Sequence, residues 1–446
     1  MPVRAIAPLV AFAMFAVYMA NGREIGTYDS QPSKYLALEI ARRQSLNLGR
    51  TVGRVPQLGE RPAFQLDLDG NYRSAVPLPS ALAAGAVAWL LSASRLVDLD
   101  APLAANLVAK LTASLLTAMA VACAFLAAAQ RTSRSRALLV AIGLGLGTGL
   151  WSAVSQTLWQ HETALSALMG AIVLLGTSRP SLSRILAVGA LLGLAGWSRP
   201  QVAPTVFVLC LSMPARFGWR AVAGFLPPAA IAALACWINV SWFGHPLGAF
   251  PALETLHPSI HAVAGSFSPR PWVSALGLLV SPSRGLLVFS PIVAIAAAGL
   301  GALRREGWRS DLVWCLAAAA AQFVAYSSYS VWWGGHTFGP RYLLDLLPVL
   351  VPLAAAGLHA VLTRPVLRVA AAVCLAWSVV VSGTGAFVYP AEKWNTDPAD
   401  VDRRHERLWE WRDSQIIRAF RAEWSPQNFS LCSRDALRRA PGELAD

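Results

Sequence analysis

The sequence predicts an all-α integral membrane protein, a bundle of about 11 transmembrane helices, and three observations predict it. Of its 446 residues 55% are hydrophobic and only 14% charged, against about 25% charged in an ordinary soluble domain, so too little polar surface remains to coat a water-soluble fold. The mean hydropathy is +0.49. Apolar segments recur at 5–20, 79–94, 104–129, 137–156, 160–177, 184–197, 201–213, 221–243, 286–303, 311–332, 342–361 and 366–389. Arginine-bearing connections between them (Arg131, Arg134 and Arg136; Arg179 and Arg184; Arg216 and Arg220; Arg304, Arg305 and Arg309; Arg364 and Arg368) alternate with arginine-poor ones, which places the former in the cytoplasm.

Taken in order, residues 5–20 form the first span, or a cleaved signal peptide with Arg4 as its basic end; the remaining topology is the same either way. The first external loop, about 21–103, holds an amphipathic helix near 33–43 with Tyr35, Leu36 and Ile40 at apolar spacing. With the N-terminus and the Arg131–Arg136 connection both cytoplasmic, the crossings between them must be even in number, yet three apolar segments intervene. The weakest is 79–94, which opens at Pro77 and Pro79 and ends at Arg95, so it is expected to lie on the outer interface without crossing. Segments 184–197 and 201–213 are short, and Pro200 breaks any continuous helix between them. They read as two short helices meeting at one face. The second large external loop, about 244–285, carries His245, His257 and His261 among prolines that include Pro258, a pattern of loop and short interfacial helices and not of a metal site. Residues 1–390 thus form the membrane domain. The segment 391–446, with Trp394, Trp409, Trp411, Ile416, Ile417 and Phe420 among arginines, reads as an extracytoplasmic amphipathic tail whose helix covers the outer face.

The formal charge of +13 would point to nucleic acid in a soluble chain, but here the arginines fall in connections and in the tail, where anionic lipid headgroups account for them. Nucleic acid is therefore not an expected partner, and membrane lipids are. Cys123, Cys210, Cys236, Cys315 and Cys374 lie in apolar spans and Cys432 alone in a polar segment, so neither a disulfide nor a zinc site is expected of them. The absence of a phosphate-binding glycine loop argues against a nucleotide-driven pump.

The residues able to carry chemistry gather on the expected outer side. Asp29 stands in the first loop, in Arg23-Glu24-Ile25-Gly26-Thr27-Tyr28-Asp29-Ser30-Gln31-Pro32, where a turn or helix-capping acid is the plain alternative. The next external loop, Trp151 to Glu162, ends Gln160-His161-Glu162. Arg199, Arg284, Arg341 and Lys110 sit at or near outer span ends, where snorkelling or headgroup contact is the plain reading of each. Arg341 is the first choice for a phosphate contact, with Tyr342 beside it, although Asp345 one helical turn on offers it a purely structural partner. Tyr326, Tyr329, Trp332, Trp333 and His336 read first as an interfacial aromatic belt.

These pieces, together with Asp69 to Pro79, Ser281-Pro282-Ser283-Arg284-Gly285-Leu286-Leu287 and Gly339-Pro340-Arg341-Tyr342-Leu343, resemble the GT-C superfamily of membrane glycosyltransferases. That family includes protein mannosyltransferases, aminoarabinose transferases and oligosaccharyltransferases. The resemblance covers most of the chain and implies a GT-C-like bundle with interfacial helices in the first external loop, in a bacterial inner membrane, N-terminus cytoplasmic and tail extracytoplasmic. It implies transfer of a sugar from a polyprenyl-phosphate carrier to an acceptor glycan, lipid or protein. Asp29 occupies the place of the family's first-loop acid and would act as base; His161 and Glu162 stand where some members carry an acidic motif. The donor phosphate would meet Arg341, Tyr342, Arg199, Arg284 or Lys110. The sequence departs from the family where Ser30 follows Asp29 in place of a second acid, and where His161 and Glu162 replace an Asp pair. No organic cofactor is implied, and a divalent cation is left open, since neutral His prefers softer metals than carboxylates do. A lipid or small-molecule transporter, favoured by the Arg199-Pro200 break, and a catalytically inactive lipid-binding relative are the competing readings.

Overall fold

The helix Ala104–Ala129 stands at the centre because its sequence is dominated by small residues: Ala109, Ala113, Thr117, Ala118, Ala120, Ala124 and Ala128 are all buried. Without a hydrophobic driving force between helices in lipid, close backbone approach through small side chains is what favours packing. The helices Val3–Met19 and His161–Leu175 lie against it. The computed structural model describes residues 2–177, 181–251, 267–307 and 310–433; Arg179, His257, Pro258, His261 and Arg309 lie outside them.

The same device joins Leu182–Ser198 to Ala221–Phe243. A Cβ on Gly189 would stand 2.1 Å from the Gly224 carbonyl oxygen, and one on Gly193 would stand 2.7 Å from Pro228 Cα. The opposite side of Ala221–Phe243 exposes Val222, Leu226, Leu234, Trp237 and Val240. An uncovered apolar face of that length belongs against hydrocarbon.

Among the described residues four apolar helical segments are long enough to cross a bilayer, Ala104–Ala129, Pro200–Phe243, Tyr342–Thr363 and Pro365–Val388; a bent pair, Arg134–Leu146 with Gly149–Gln156, makes a fifth. Pro200–Phe243 is not one rod. Gly218 adopts φ +58°, and Met213 Cε lies 2.1 Å from where a Gly224 Cβ would be, so the segment folds back on itself there. Val3–Met19, Pro79–Ala93, His161–Leu175, Leu182–Ser198, Pro271–Val280 and Asp311–Ser327 are apolar helices of 10–17 residues. They are shorter than the roughly 20 residues a straight crossing needs.

The connections expected on each side of the membrane gather at opposite ends. At one end Arg131 contacts Asp311 and, at 3.5 Å, Glu306, while Arg216 lies 3.9 Å from Asp311. About 39 Å away, by the rise of the 26-residue central helix, are the first loop, the loop before Asp345 and the tail. There Gln31–Arg43 lies along Pro79–Ala93, with Ala37, Leu38, Ala84 and Ala88 buried between them and Gly85 admitting the Ile40 side chain. A two-stranded hairpin, Phe64–Leu66 against Tyr72–Ser74, flanks them. Its turn is held by Asp67, which accepts from the backbone N–H of Asp69 (2.9 Å) and of Asn71 (2.8 Å) and from Arg73 Nε (2.7 Å).

The tail differs from the expected amphipathic helix. Among the described residues its longest helix is Gln415–Arg421, seven residues, and the rest is turns docked onto the bundle. Trp394 is fully buried between the guanidinium groups of Arg284 and Arg407, 5.2 and 4.8 Å from its ring. Arg23 donates to Ser425 Oγ (3.0 Å) and to the Tyr389 carbonyl (2.6 Å), and Leu431 N–H donates to the Gly22 carbonyl. Side-chain ties such as these, and not a long helix, order the segment.

Glu392 gives this docking a pH dependence. Burial pushes its carboxyl up to about 7, with one oxygen accepting from Gln415 Nε2 at 3.2 Å. An acid whose value is raised on folding contributes stability that is complete below its unfolded value and lost as pH rises through the folded one. Tail docking should therefore weaken between the ordinary carboxylate value of 4.5 and about 7. Limited proteolysis of the tail across that range should show rising cleavage, and Glu392→Gln should flatten the profile; an identical pH slope in the variant would refute the assignment.

Candidate functional site

The segment Thr27-Tyr28-Asp29-Ser30 closes on itself because Ser30 Oγ accepts from the Thr27 N–H (3.1 Å) and donates to the Thr27 carbonyl (2.9 Å). Pro32 then starts the helix Gln31–Arg43. This turn holds Asp29 outward, with its side chain 63% exposed. Behind it Glu24 is buried against Lys34 Nζ (3.3 Å) and the Thr157 hydroxyl, so the first loop is pinned to the loop that precedes His161–Leu175. A Cβ on Gly26 would crowd the Glu24 carboxylate and the Ser30 hydroxyl, so any larger residue there has to shift Glu24.

Arg341 reaches Asp29 from the other end of the chain. Its Nη1 stands 3.7 Å from Asp29 Oδ2, and the guanidinium lies over Trp159 (4.8 Å) and Tyr342 (5.6 Å). The Arg341 side chain is 14% exposed, and its Nε is buried with no acceptor among the described residues. Arg61 completes the rim, stacked on Tyr28 at 4.2 Å and donating to Gln31 Oε1 at 2.5 Å. An exposed carboxylate beside an aromatic-backed guanidinium can take a proton and hold an anion at one place.

Asp345 does not pair with Arg341. It is fully buried, accepting from Arg199 Nε at 2.7 Å and from the Tyr326 hydroxyl, with His161 Nδ1 at 2.9 Å on its other oxygen. Tyr326 stacks on Tyr342 at 5.0 Å, which links this network to the floor beneath Arg341. The chain break at Arg199, where Leu182–Ser198 gives way to a 3-10 turn and then Ala203–Phe217, is what turns the Arg199 side chain inward.

The other expected residues are also buried. Glu162, in the first turn of His161–Leu175, has Ser80 and the backbone of Trp159 and Gln160 nearby, yet neither carboxylate oxygen meets a donor at hydrogen-bond geometry. Lys110 donates to Gln156 Oε1 (2.6 Å), which Asn21 Nδ2 shares (2.7 Å). All three nitrogens of Arg284 are engaged: Nε with the Trp333 carbonyl, Nη1 with the Ser283 carbonyl and Gln415, and Nη2 with the Gly335 carbonyl and Asn395. Arg284 therefore anchors the tail, with no donor turned to the cleft. Among the described residues Asp29, His161 and Glu162 do not converge within the span of a single ion. All six cysteines are free.

Trp159, Tyr28 and Arg61 belong to the cleft but were not singled out from the sequence. The available signal was an aromatic within three residues of a candidate acid in two outer loops, Tyr28 before Asp29 and Trp159 before Glu162.

No protein-family model and no curated protein matches the chain. Solved structures do. The apo oligosaccharyltransferase of Archaeoglobus fulgidus superposes with a TM-score of 0.55 at 11% identity, over 92% of this chain and 60% of that one. The same enzyme in complex with Zn and sulfate gives 0.53 at 12%, over 92% and 57%. ArnT of Cupriavidus metallidurans bound to undecaprenyl phosphate gives 0.47 at 13%, over 97% and 77%. The chain thus has the fold of a GT-C-like multi-pass membrane protein. It spans less than two thirds of the length of the archaeal chains.

Proposed function

We propose that this protein is a membrane glycosyltransferase that moves a sugar from a polyprenyl-phosphate donor to an acceptor on the extracytoplasmic face of a bacterial inner membrane. The observation that carries the reading is the meeting of an exposed Asp29 with Arg341, whose guanidinium is backed by Trp159 and Tyr342, on a GT-C-like scaffold. Asp29 takes the proton of the acceptor hydroxyl as that oxygen attacks the anomeric carbon. The bond from that carbon to the phosphate oxygen breaks, and the electron pair leaves with the phosphate. A phosphate needs no proton to leave, but it does need positive charge, and Arg341 supplies it, with Arg61 close by. The Asp29 to Arg341 contact is long and partly exposed, so its contribution to stability is small, about 0.2–1 kcal/mol, and an incoming phosphate can displace it. His161, Glu162, Arg199, Arg284 and Lys110 support the cleft from behind. The likeness of the fold to that of the archaeal oligosaccharyltransferase, at TM-scores of 0.53 and 0.55, supports glycosyl transfer as the class of reaction.

The test is transfer by the purified, reconstituted protein from a panel of polyprenyl-phosphate sugars to a panel of acceptors; silence across the panel with intact lipid-phosphate binding would favour the inactive lipid-binding relative. Arg341→Lys checks the phosphate assignment. A single ammonium cannot reproduce the fork-shaped contact or the stacking on Trp159, so donor affinity should fall roughly tenfold or more while thermal stability changes little. Unchanged donor affinity would remove Arg341 from the phosphate site.

A further inference from the structure

The loop that leads to Arg341 carries His336, and the tail carries Asp400 and Asp402. We propose that these three side chains form a binding site for a first-row divalent cation of the Zn²⁺ type, which fastens the tail to the bundle. His336 Nε2 stands 3.0 Å from Asp400 Oδ1 and 3.5 Å from Asp402 Oδ2, and one ligand atom from each residue lies within 4.8 Å of the others. Zinc bonds of about 2.0–2.2 Å arranged tetrahedrally set neighbouring ligand atoms roughly 3.3–3.6 Å apart; the 3.5 Å spacing is that of adjacent corners, and the 3.0 Å spacing is a hydrogen-bond contact that has to widen by a few tenths of an ångström to admit the ion.

The surroundings hold the ligands in place. Trp333 Nε1 donates to Asp402 Oδ1 at 2.6 Å, which leaves Oδ2 for the ion, and the Asp402 N–H donates to Asp400 Oδ1 at 2.8 Å. Such outer contacts orient metal ligands. Gly334 and Gly335, at φ +76° and +68°, give the loop the left-handed bend that brings His336 to the tail, and Arg284 Nη2 fixes the Gly335 carbonyl at 3.1 Å. All three ligands are partly exposed, so an ion can enter and keep water as its remaining ligand. Hydrogen bonding of His336 to the carboxylates would explain the contacts without a metal; it would not produce saturable cation binding. One imidazole with two carboxylates favours Zn²⁺ or Mn²⁺ over Mg²⁺.

The test uses the full-length protein in detergent, stripped with chelator and titrated calorimetrically with ZnCl₂, with MgCl₂ as comparator. A single equivalent of Zn²⁺ should bind and raise Tm. His336→Gln and Asp402→Asn, which keep hydrogen-bonding capacity, should each weaken binding by about tenfold or more and abolish the Zn²⁺-dependent rise in Tm. Should one variant fail to fold, the other reads the same point. Absence of a saturable equivalent, equal affinity for Mg²⁺, or Zn²⁺ affinity unchanged in both variants would overturn the proposal. Because binding is read without substrate, failure here leaves the glycosyl-transfer reading untouched.

Discussion

Asp29→Asn should abolish transfer while leaving membrane insertion, thermal stability and donor binding close to those of the parent. A general base contributes typically about 10²–10⁴ in rate, equivalent to roughly 3–5 kcal/mol of barrier. Against this, the Asp29 side chain is 63% exposed and its ion pair with Arg341 is 3.7 Å long, so loss of the charge costs the fold no more than about 1 kcal/mol. The turn survives as well, since Ser30 and Thr27, and not the Asp29 carboxylate, close it. The two effects differ enough in size to be separated by measuring initial transfer rate and Tm on the same preparation. Glu162→Gln is the control. Glu162 is fully buried at the start of its helix, so a loss of rate there should come with a loss of stability. Near-full transfer by Asp29→Asn would end the catalytic assignment and leave the resemblance to support the fold alone.

The sequence made the fold class legible because membrane packing writes itself into composition: small residues buried on the central helix and large apolar ones exposed along helices such as Ala221–Phe243. The exact number of crossings was less legible, since apolar runs of 10–17 residues, such as Pro79–Ala93 and Pro271–Val280, carry the same signal whether they cross, lie flat or turn back. Asp29 and Arg341 were each recognisable as candidates. Their meeting was not, because nothing local relates a loop after the first helix to one before Asp345. The pairing of Asp345 shows why spacing misled. Four residues from Arg341, it would share a face with it on an α-helix. The chain runs as a 3-10 helix from Tyr342 to Leu346, and at about three residues per turn the two side chains diverge by roughly 120°. Asp345 turns inward to Arg199 and His161, and Arg341 is released toward Asp29. The tail was legible in composition but not in form, since what orders it is a set of buried ties such as Arg284 to Asn395 and Arg23 to Ser425, between residues far apart in sequence.

Asp345→Asn should be the most destabilising single conservative change near the site. The carboxylate is fully buried and, among the described residues, is the one acid in contact with Arg199, whose own side chain is almost entirely enclosed. Neutralising it leaves a buried guanidinium without a counter-charge, and breaking a buried pair in this way costs about 3–5 kcal/mol. The loss should also reach the cleft, because Tyr326 hydrogen-bonds to Asp345 and stacks on Tyr342 under Arg341. Transfer should therefore fall in Asp345→Asn even at temperatures where the protein remains folded. Removing the cation as well, in Asp345→Asn with Arg199→Met, should recover much of the stability, since a neutral pair needs no compensation; the coupling between the two sites should be about 2 kcal/mol or more. Transfer should not recover with it, because the Tyr326 contact is not restored. Thermal unfolding of the two single variants and the double variant in one detergent measures the cycle. Additive effects, or an Asp345→Asn protein as stable as the parent, would show that the ion pair does not hold the floor of the cleft.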